Sequence, residues 1–493
     1  MSMNHANFVN FEGAGVASMT EVNELNKALE AGVPYEGAPG SRTGGGALQV
    51  ESLDSSLKSV TYEMKNIKLW PIMAKDQAYN TIEEYNRQDA FGDQGRGFIS
   101  EGSLPRSEDS SYTRQIQRVR FIGVTRELTH VYTLVRNAHG DAIAREIRSG
   151  TMRILEIVER ALYDGRGYYS NAGQFDGADS AIRDADVSWE GLDKQLRQGF
   201  EDPSAQAKAF TGFGLSESPL VDQRGTILDE DALEDAGRIV ADNFGAPNLM
   251  MLDTKAHSDL GRQFYPKERV NPMGVQNGKA GFVLQSFVSA AGEFALMSDV
   301  FLRPKRKPFD PVHSDAPGTP TAPAPAANAN SKFAATDAGD YIYFATAIKE
   351  PSASTSGAGE GPASAASAAI TVAAGQAVIL TVPAVTDAFA YAVYRSPKDG
   401  AAADAEFVGY VAPATVGAAA TFTDLNHKLP GLAQAYLLTN DAEVVRFKQL
   451  APLMKMDLAI IATAYRWMQL LYGTPIVYAP RKNVLFENIG RAV

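Results

Sequence analysis

Residues 89–128, DAFGDQGRGFISEGSLPRSEDSSYTRQIQRVRFIGVTREL, are followed closely by residues 141–164, DAIAREIRSGTMRILEIVERALYD. The first part, 89–111, holds four glycines, one proline and many small polar residues between strand-like flanks. The 112–128 text alternates, with Arg114, Arg118 and Arg120 on one predicted face and Gln117, Val119 and Phe121 on the other. Two strands joined by a polar tip of about 20 residues make a long hairpin with little core of its own. In 141–164, Ile143, Ile147, Ile154, Val158, Ala161 and Leu162 recur at three and four, and Gly165 ends the pattern. That predicts an amphipathic helix of about 36 Å at 1.5 Å per residue, a spine among shorter elements.

Working outward, residues 1–46 are rich in Gly, Ala and Asn. They carry one short helical signal, a Ser18/Glu21 capping box, and end in the flexible SRTGGG joint at 41–46. An extended arm is expected there. Leu69, Trp70, Ile72 and Met73 are candidate core, while 166–223 reads as loop-rich and polar with Trp189 and Leu192 as weak anchors. A compact α/β signature follows: helix DEDALEDAGRIVADN at 229–243, apolar 249–252, a second helix from 253, and strands with a Gly-containing turn over 281–302.

Beyond residue 308 the composition shifts to Ala, Pro, Ser, Thr and Gly. Short strand signals at 341–349, 377–382, 389–395, 407–411 and 420–425 predict a β-sandwich of about 100 residues. SDAPGTPTAPAPAANANS at 314–331 reads as a Pro-rich linker and PSASTSGAGEGPASAAS at 351–367 as a flexible loop. The earlier style resumes at 435 and ends in dense β text, so the sandwich is predicted to be inserted into one domain.

The chain has 493 residues, a net charge of -12 and no cysteine. Disulfides, thiolate nucleophiles and cysteine-ligated metals are excluded. The acidic balance argues against a surface devoted to gripping nucleic acid. The longest apolar run, 458–464, is far short of a membrane span, and 1–15 lacks the features of a secretory signal, so a soluble chain is expected. The six histidines lack metal-ligand spacing; GVQNGK at 274–279 is one residue short of a phosphate loop; Ser216 lacks the second glycine of a nucleophile elbow. Asp229, Glu230 and Asp231 fit a helix cap better than a calcium site. No catalytic, cofactor or metal residues are predicted, and an enzyme is not expected.

ESLDSSLKSVTYEMKNIKLW at 51–70 with AYNTIEEYN at 78–86, GFVLQSFVSAAGEFAL at 281–296 and LAPLMKMDLAIIATAYRWMQLLYG at 450–473, in this order around the hairpin and long helix, resemble the major capsid proteins of tailed bacteriophages, the Hong-Kong-97-type fold. A sandwich that enters near 308 and leaves near TDLNHKLPG at 423–431 resembles large-myophage members carrying an Ig-like or fibronectin-type insertion. The resemblance implies an α+β fold with an N-arm (1–60), a peripheral domain (61–225) containing the E-loop (87–124) and the spine helix (141–164), and an axial domain (226–307). The inserted all-β sandwich would occupy 308–434 and the axial and peripheral return 435–493. It further implies hexamers and pentamers of this chain in an icosahedral virion shell around double-stranded DNA, with no membrane. Synthesis in the host bacterial cytoplasm is expected, as are scaffold, portal and minor capsid or decoration proteins as partners. Some family members crosslink through an E-loop lysine, but 83–125 contains none, so a shell held by non-covalent contacts is expected.

The arginine face of Arg114, Arg118 and Arg120 is read either as a solvated strand or as an inter-subunit contact. Its acidic partners would be Glu101, Glu108 and Asp109 at the tip, or Glu146, Glu156 and Glu159 on the helix. Arg145, Arg148 and Arg153 are candidates for general electrostatic contact with DNA. The competing readings are another phage structural protein, from a tail or decoration layer, and a surface-binding protein with a carbohydrate-binding sandwich.

Overall fold

The computed structural model describes residues 10–11, 14–15, 61–92, 98–105, 107–135, 140–166, 169–170, 181–183, 188–201, 217–264, 284–308, 311–349, 359–459 and 463–490. The helix expected after Ser18, the 41–46 joint, Ser216 and the 274–279 loop lie outside the described residues. The chain forms two compact units, Met1–Thr61 with Val131–Ala142, and Tyr62–His130 with Ile143–Val493. In the first, Asn10–Phe11 pairs antiparallel with Ala14–Gly15.

The second unit is built on a six-stranded mixed sheet. Its strand order is Ser286–Ser289, Gly292–Asp299, Leu249–Asp253, Ala433–Leu438, Val484–Ile489 and Leu220–Asp222. The central strand Leu249–Asp253 is buried along its whole length because both faces are covered, which is why its text shows no polar alternation. On one face Leu249, Met251, Tyr436 and Leu485 pack with Ile154, Val158 and Leu162 of the long helix Ala142–Asp164. On the other, Met250, Leu252, Leu437 and Phe486 meet Leu233, Ile239 and Val240 of helix Glu230–Asp242, and Leu260 and Phe264 of helix Thr254–Phe264. Asp229 caps the first of these two helices, accepting from the Ala232 N–H at 2.9 Å, as the cap reading of the acidic run requires.

The 166–223 segment departs from its loop-rich reading. Leu192–Glu201 is a helix whose Leu192, Leu196 and Phe200 are buried in the same core as Trp189, whose indole N–H donates to the Ala161 carbonyl at 2.9 Å. Three apolar residues at spacing four make a stripe too narrow to stand out. The flanking polar groups are buried as well: Gln195 donates to the Pro475 carbonyl and accepts from the Val477 N–H, both at 2.9 Å.

A second sheet, in the order Lys75–Gln77, Val445–Asp457, Ala464–Val477 and Arg120–Thr129, lies against the long helix. Gln469 reaches from this sheet into the helix, donating to the Ile147 carbonyl at 2.9 Å over Gly150. A Cβ on residue 150 would sit 1.9 Å from Gln469 Oε1. Gly150→Ala should therefore destabilise the protein by about 1–3 kcal/mol in chemical denaturation, although Ala is the better helix former by about 1 kcal/mol. An unchanged or raised midpoint would show that Gln469 swings clear.

The strands between Leu302 and Ala433 include two sheets that face one another. Ala326–Ala327, Gln376–Val382 and Ala420–Asp424 make one; Gly359–Ala363, Tyr343–Lys349, Ala388–Arg395 and Glu406–Val411 make the other. Val378, Leu380 and Phe422 of the first pack on Tyr343, Tyr391 and Val393 of the second. Two linker readings are corrected here. Residues 314–331 bury Pro317 and Pro320, and Thr321 exchanges backbone bonds of 3.1 and 2.7 Å with Thr381, so this Pro-rich text runs along a sheet edge, where missing N–H donors are tolerated. Within 351–367, Gly359–Ala363 is a strand paired to Tyr343–Lys349, while 351–358 lie outside the described residues. Its small residues serve packing: a Cβ on Gly361 would meet the His313 ring at 2.2 Å.

The two ends of this region attach to the central sheet at one place. Gly292–Asp299 runs parallel to Leu249–Asp253 and Ala433–Leu438 antiparallel to it, so Asp299 and Ala433 lie at the same sheet end, on either side of the central strand. Two strand spacings, about 10 Å, separate departure and return.

Candidate assembly surface

The hairpin strands Ile82–Ala90 and Ser111–Arg118 pair antiparallel from Ile82 opposite Arg118 to Gln88 opposite Tyr112, with a register shift before Ala90. One face rests on the body. Tyr85 meets Tyr478 edge-on at 4.9 Å, Gln117 donates to Glu190 at 2.9 Å, and Glu83 pairs with Lys448 at 3.4 Å. The opposite face presents Ile82, Tyr112 and Ile116 to solvent beside Glu84, Arg114 and Arg118. At the tip, Phe98 is 97% exposed, Leu104 93% and Phe91 85%. Large apolar side chains this exposed make the tip and outer face of the hairpin the candidate contact surface.

The three arginines do not form one face. Arg114 and Arg118 are exposed on the hairpin, but the strand breaks at Val119 and alternation restarts with Arg120, which is buried in the next sheet opposite Gly473. Arg114 is engaged within its own hairpin, 3.3 Å from both Glu84 and Asn86. Glu101, Glu108 and Asp109 are exposed near the tip. The helix acids are engaged within the chain. Glu146 pairs with Arg126 at 3.5 Å; buried Glu156 accepts from Tyr62 at 2.9 Å, Arg153 at 2.7 Å and Arg160 at 3.0 Å. Glu159, fully buried, accepts from the backbone N–H groups of Lys68, Leu69 and Trp70 at 2.9, 2.6 and 3.0 Å. Glu156 and Glu159 are thus removed from any contact surface, because each sits on the buried stripe of the helix, and Arg153 is committed to Glu156.

Sequence reasoning did not anticipate the polar clamp where the 303–432 region rejoins the body. Arg224 donates to the Asn426 carbonyl at 2.8 Å and also to the Lys332 carbonyl; Asn488 donates to Asp222 at 2.7 Å and to the His427 carbonyl at 2.8 Å. Arg224, Asn426 and Asn488 all adopt left-handed backbone, with φ of 46°, 61° and 55°, so the clamp holds conformations that cost energy in an isolated chain. Burial, with Lys332, Arg197 and Arg224 nearby, pushes His427 down to about 4. Asp193 shares Arg197 as a neighbour: burial opposes its ionisation, yet Arg197 and Arg166 hold it at about 2. On the departing side Glu360 gathers Thr346 at 2.5 Å, Lys305 at 2.7 Å and the Tyr394 hydroxyl. The one sequence signal for such clusters was a charge closing an apolar strand, as in FAYAVYR.

Among the described residues no group of three or more His, Asp or Glu side chains is placed to hold a metal ion, and no helix is long and apolar enough to cross a membrane.

No family model matches the chain. It is 21% identical over 483 residues, 94% of each chain, to a protein of Enterococcus phage phiEF24C described as "Putative major capsid protein". Among solved structures it is similar to Gordonia phage Cozz (10% identity, TM-score 0.42, 92% of this chain and 98% of that one). The capsid of Cyanophage P-SCSP1u is likewise similar (8%, 0.43, 92% and 96%), as is the SrpI encapsulin of Synechococcus elongatus PCC 7942 (9%, 0.39, 88% and 92%).

Proposed function

We propose that this chain is the major capsid protein of a tailed-phage head, a structural protein that assembles with copies of itself, as hexamers and pentamers, into an icosahedral shell around double-stranded DNA. The observation that carries this reading is the hairpin. One of its faces rests on the body while its other face and tip hold Phe91, Phe98, Leu104, Tyr112 and Ile116 in water. A two-stranded ribbon gains little stability by itself, so such a surface is retained for a partner. The end-to-end likeness to the phiEF24C protein supports the choice of partner as further copies of the same chain.

In this reading residues 1–60 are the N-arm, the hairpin is the E-loop and Ala142–Asp164 is the spine helix of the peripheral domain. The central sheet with its two covering helices belongs to the axial domain. The 308–434 region is an inserted Ig-like sandwich held outward from the lattice, its departure and return at one sheet end being what an insertion needs. DNA contact is electrostatic and without sequence preference. Scaffold, portal and decoration proteins are the further partners.

The test is negative-stain electron microscopy with sedimentation velocity on the purified chain, alone and with the products of neighbouring genes. Closed shells or six- and five-membered rings are expected. Monomers under every condition would overturn the reading.

A further inference from the structure

Where the long helix crosses the end of strand Gly292–Asp299, two fully buried carboxyls meet. Glu159 comes from the helix and Asp299 from the strand. Glu159 accepts three backbone N–H groups from residues 68–70, where the helical turn Leu69–Ile72 begins. Asp299 accepts the Phe301 N–H and the Tyr163 hydroxyl, each at 2.8 Å. The remaining charges around the pair are committed elsewhere. On the same helix Arg160 and Arg153 are bonded to Glu156, which also takes the Tyr62 hydroxyl; Lys75 donates to the Trp70 carbonyl at 2.7 Å. From the central sheet the neighbour is Tyr436, its ring 5.5 Å from that of Tyr163, and burial pushes both phenols well above their ordinary range. Among the described contacts of either carboxyl there is no cation.

Two adjacent buried carboxylates without a cation cannot both be charged at modest cost, whereas a carboxyl bonded to a carboxylate satisfies both. We propose that Glu159 keeps a proton in the folded protein, bonded to Asp299, and acts as a proton-operated latch. The latch fastens the long helix to the start of the helical turn at 68–70 and to the strand end that leads into the 303–432 region. Burial first, and the hydrogen bond with Asp299 second, push Glu159 up to about 7. A free glutamate titrates near 4.3, so the folded pair binds a proton that the opened state releases. Its contribution is complete below about pH 4.3 and is lost as pH rises through about 7. The latch loosens in alkali.

The readout is amide exchange of residues 68–73 in the whole protein, corrected for intrinsic exchange, at pH 5 and pH 8. The opening equilibrium there should rise by about tenfold or more in the parent and by less than about threefold in Glu159→Gln, whose side chain cannot ionise. An identical rise in both proteins would overturn the latch. Where Glu159→Gln fails to fold, infrared difference spectra of the parent decide instead. A protonated carboxyl band present at pH 5 and lost by pH 8, and shifted in frequency in Asp299→Asn where its hydrogen-bond partner changes, supports the buried proton. No such band would refute it.

Discussion

On the proposed capsid function, Phe98→Asp combined with Leu104→Asp should leave a folded protein that forms no closed shells. Both side chains are almost wholly in water in the isolated chain, at 97% and 93% exposure, so the change costs the fold no more than about 0.5 kcal/mol. Their apolar character has value only where another molecule covers them. Burying each contributes about 1.5–3 kcal/mol, so losing both removes about 3–6 kcal/mol from every contact. That corresponds to roughly a hundred- to ten-thousand-fold weaker association per contact, before the cost of burying two carboxylates is added. Repeated at each position of the proposed lattice, the loss is decisive. Sedimentation velocity with negative-stain microscopy reads it, and thermal unfolding by circular dichroism checks the fold. Ser107→Asp, which adds charge nearby without removing apolar surface, should still assemble. Shells from the double variant would show that the tip is not a contact. A collapsed melting temperature would show instead that these residues belong to the protein's own core.

The emphasis on apolar tip residues marks where the sequence misleads. Read as text, 89–111 is small and polar, and its acids Glu101, Glu108 and Asp109 stand out as the partners of an arginine face. The fold shows Phe91, Phe98 and Leu104 to be the larger feature. It also shows that the arginine face is interrupted, because one break at Val119 reverses the alternation before Arg120. What is legible follows periodicity. Ile154, Val158 and Leu162 give the long helix, the unbroken run at 249–252 gives a strand covered on both faces, and five short apolar runs give strands Tyr343–Lys349, Gln376–Val382, Ala388–Arg395, Glu406–Val411 and Ala420–Asp424. What is not legible depends on polar satisfaction. Glu159 and Gln195 look like solvated helix positions because no pattern shows that backbone groups distant in sequence will donate to or accept from them. The Pro-rich 314–331 text hides an edge strand for the same reason: its bonds are made by the backbone and its side chains report little.

Asp424→Ala should strongly destabilise the facing sheets between Leu302 and Ala433. Asp424 and Arg395 are both fully buried and form an ion pair; Asp424 also accepts from the Tyr343 hydroxyl at 2.9 Å and the Asn426 N–H at 2.8 Å. Arg395 donates onward to Asn426 Oδ1 at 2.6 Å and lies 5.0 Å from the Tyr341 ring. Removing the carboxylate leaves a guanidinium in the interior without its counter-charge, a loss of about 3–5 kcal/mol, since the desolvation cost stays and the attraction goes. The damage reaches the clamp as well. Asn426 is held at a φ of 61° by this pair on one side and by Arg224 on the other, and with one grip released the left-handed turn loses its support. Adding Arg395→Met removes the stranded charge, so the double variant should recover most of the loss, giving a coupling of about 2–3 kcal/mol between the two sites. Denaturant unfolding of the four proteins measures it. A single-variant cost below about 1 kcal/mol would mean that water reaches Arg395 and that the turn at Asn426 is held from the body alone.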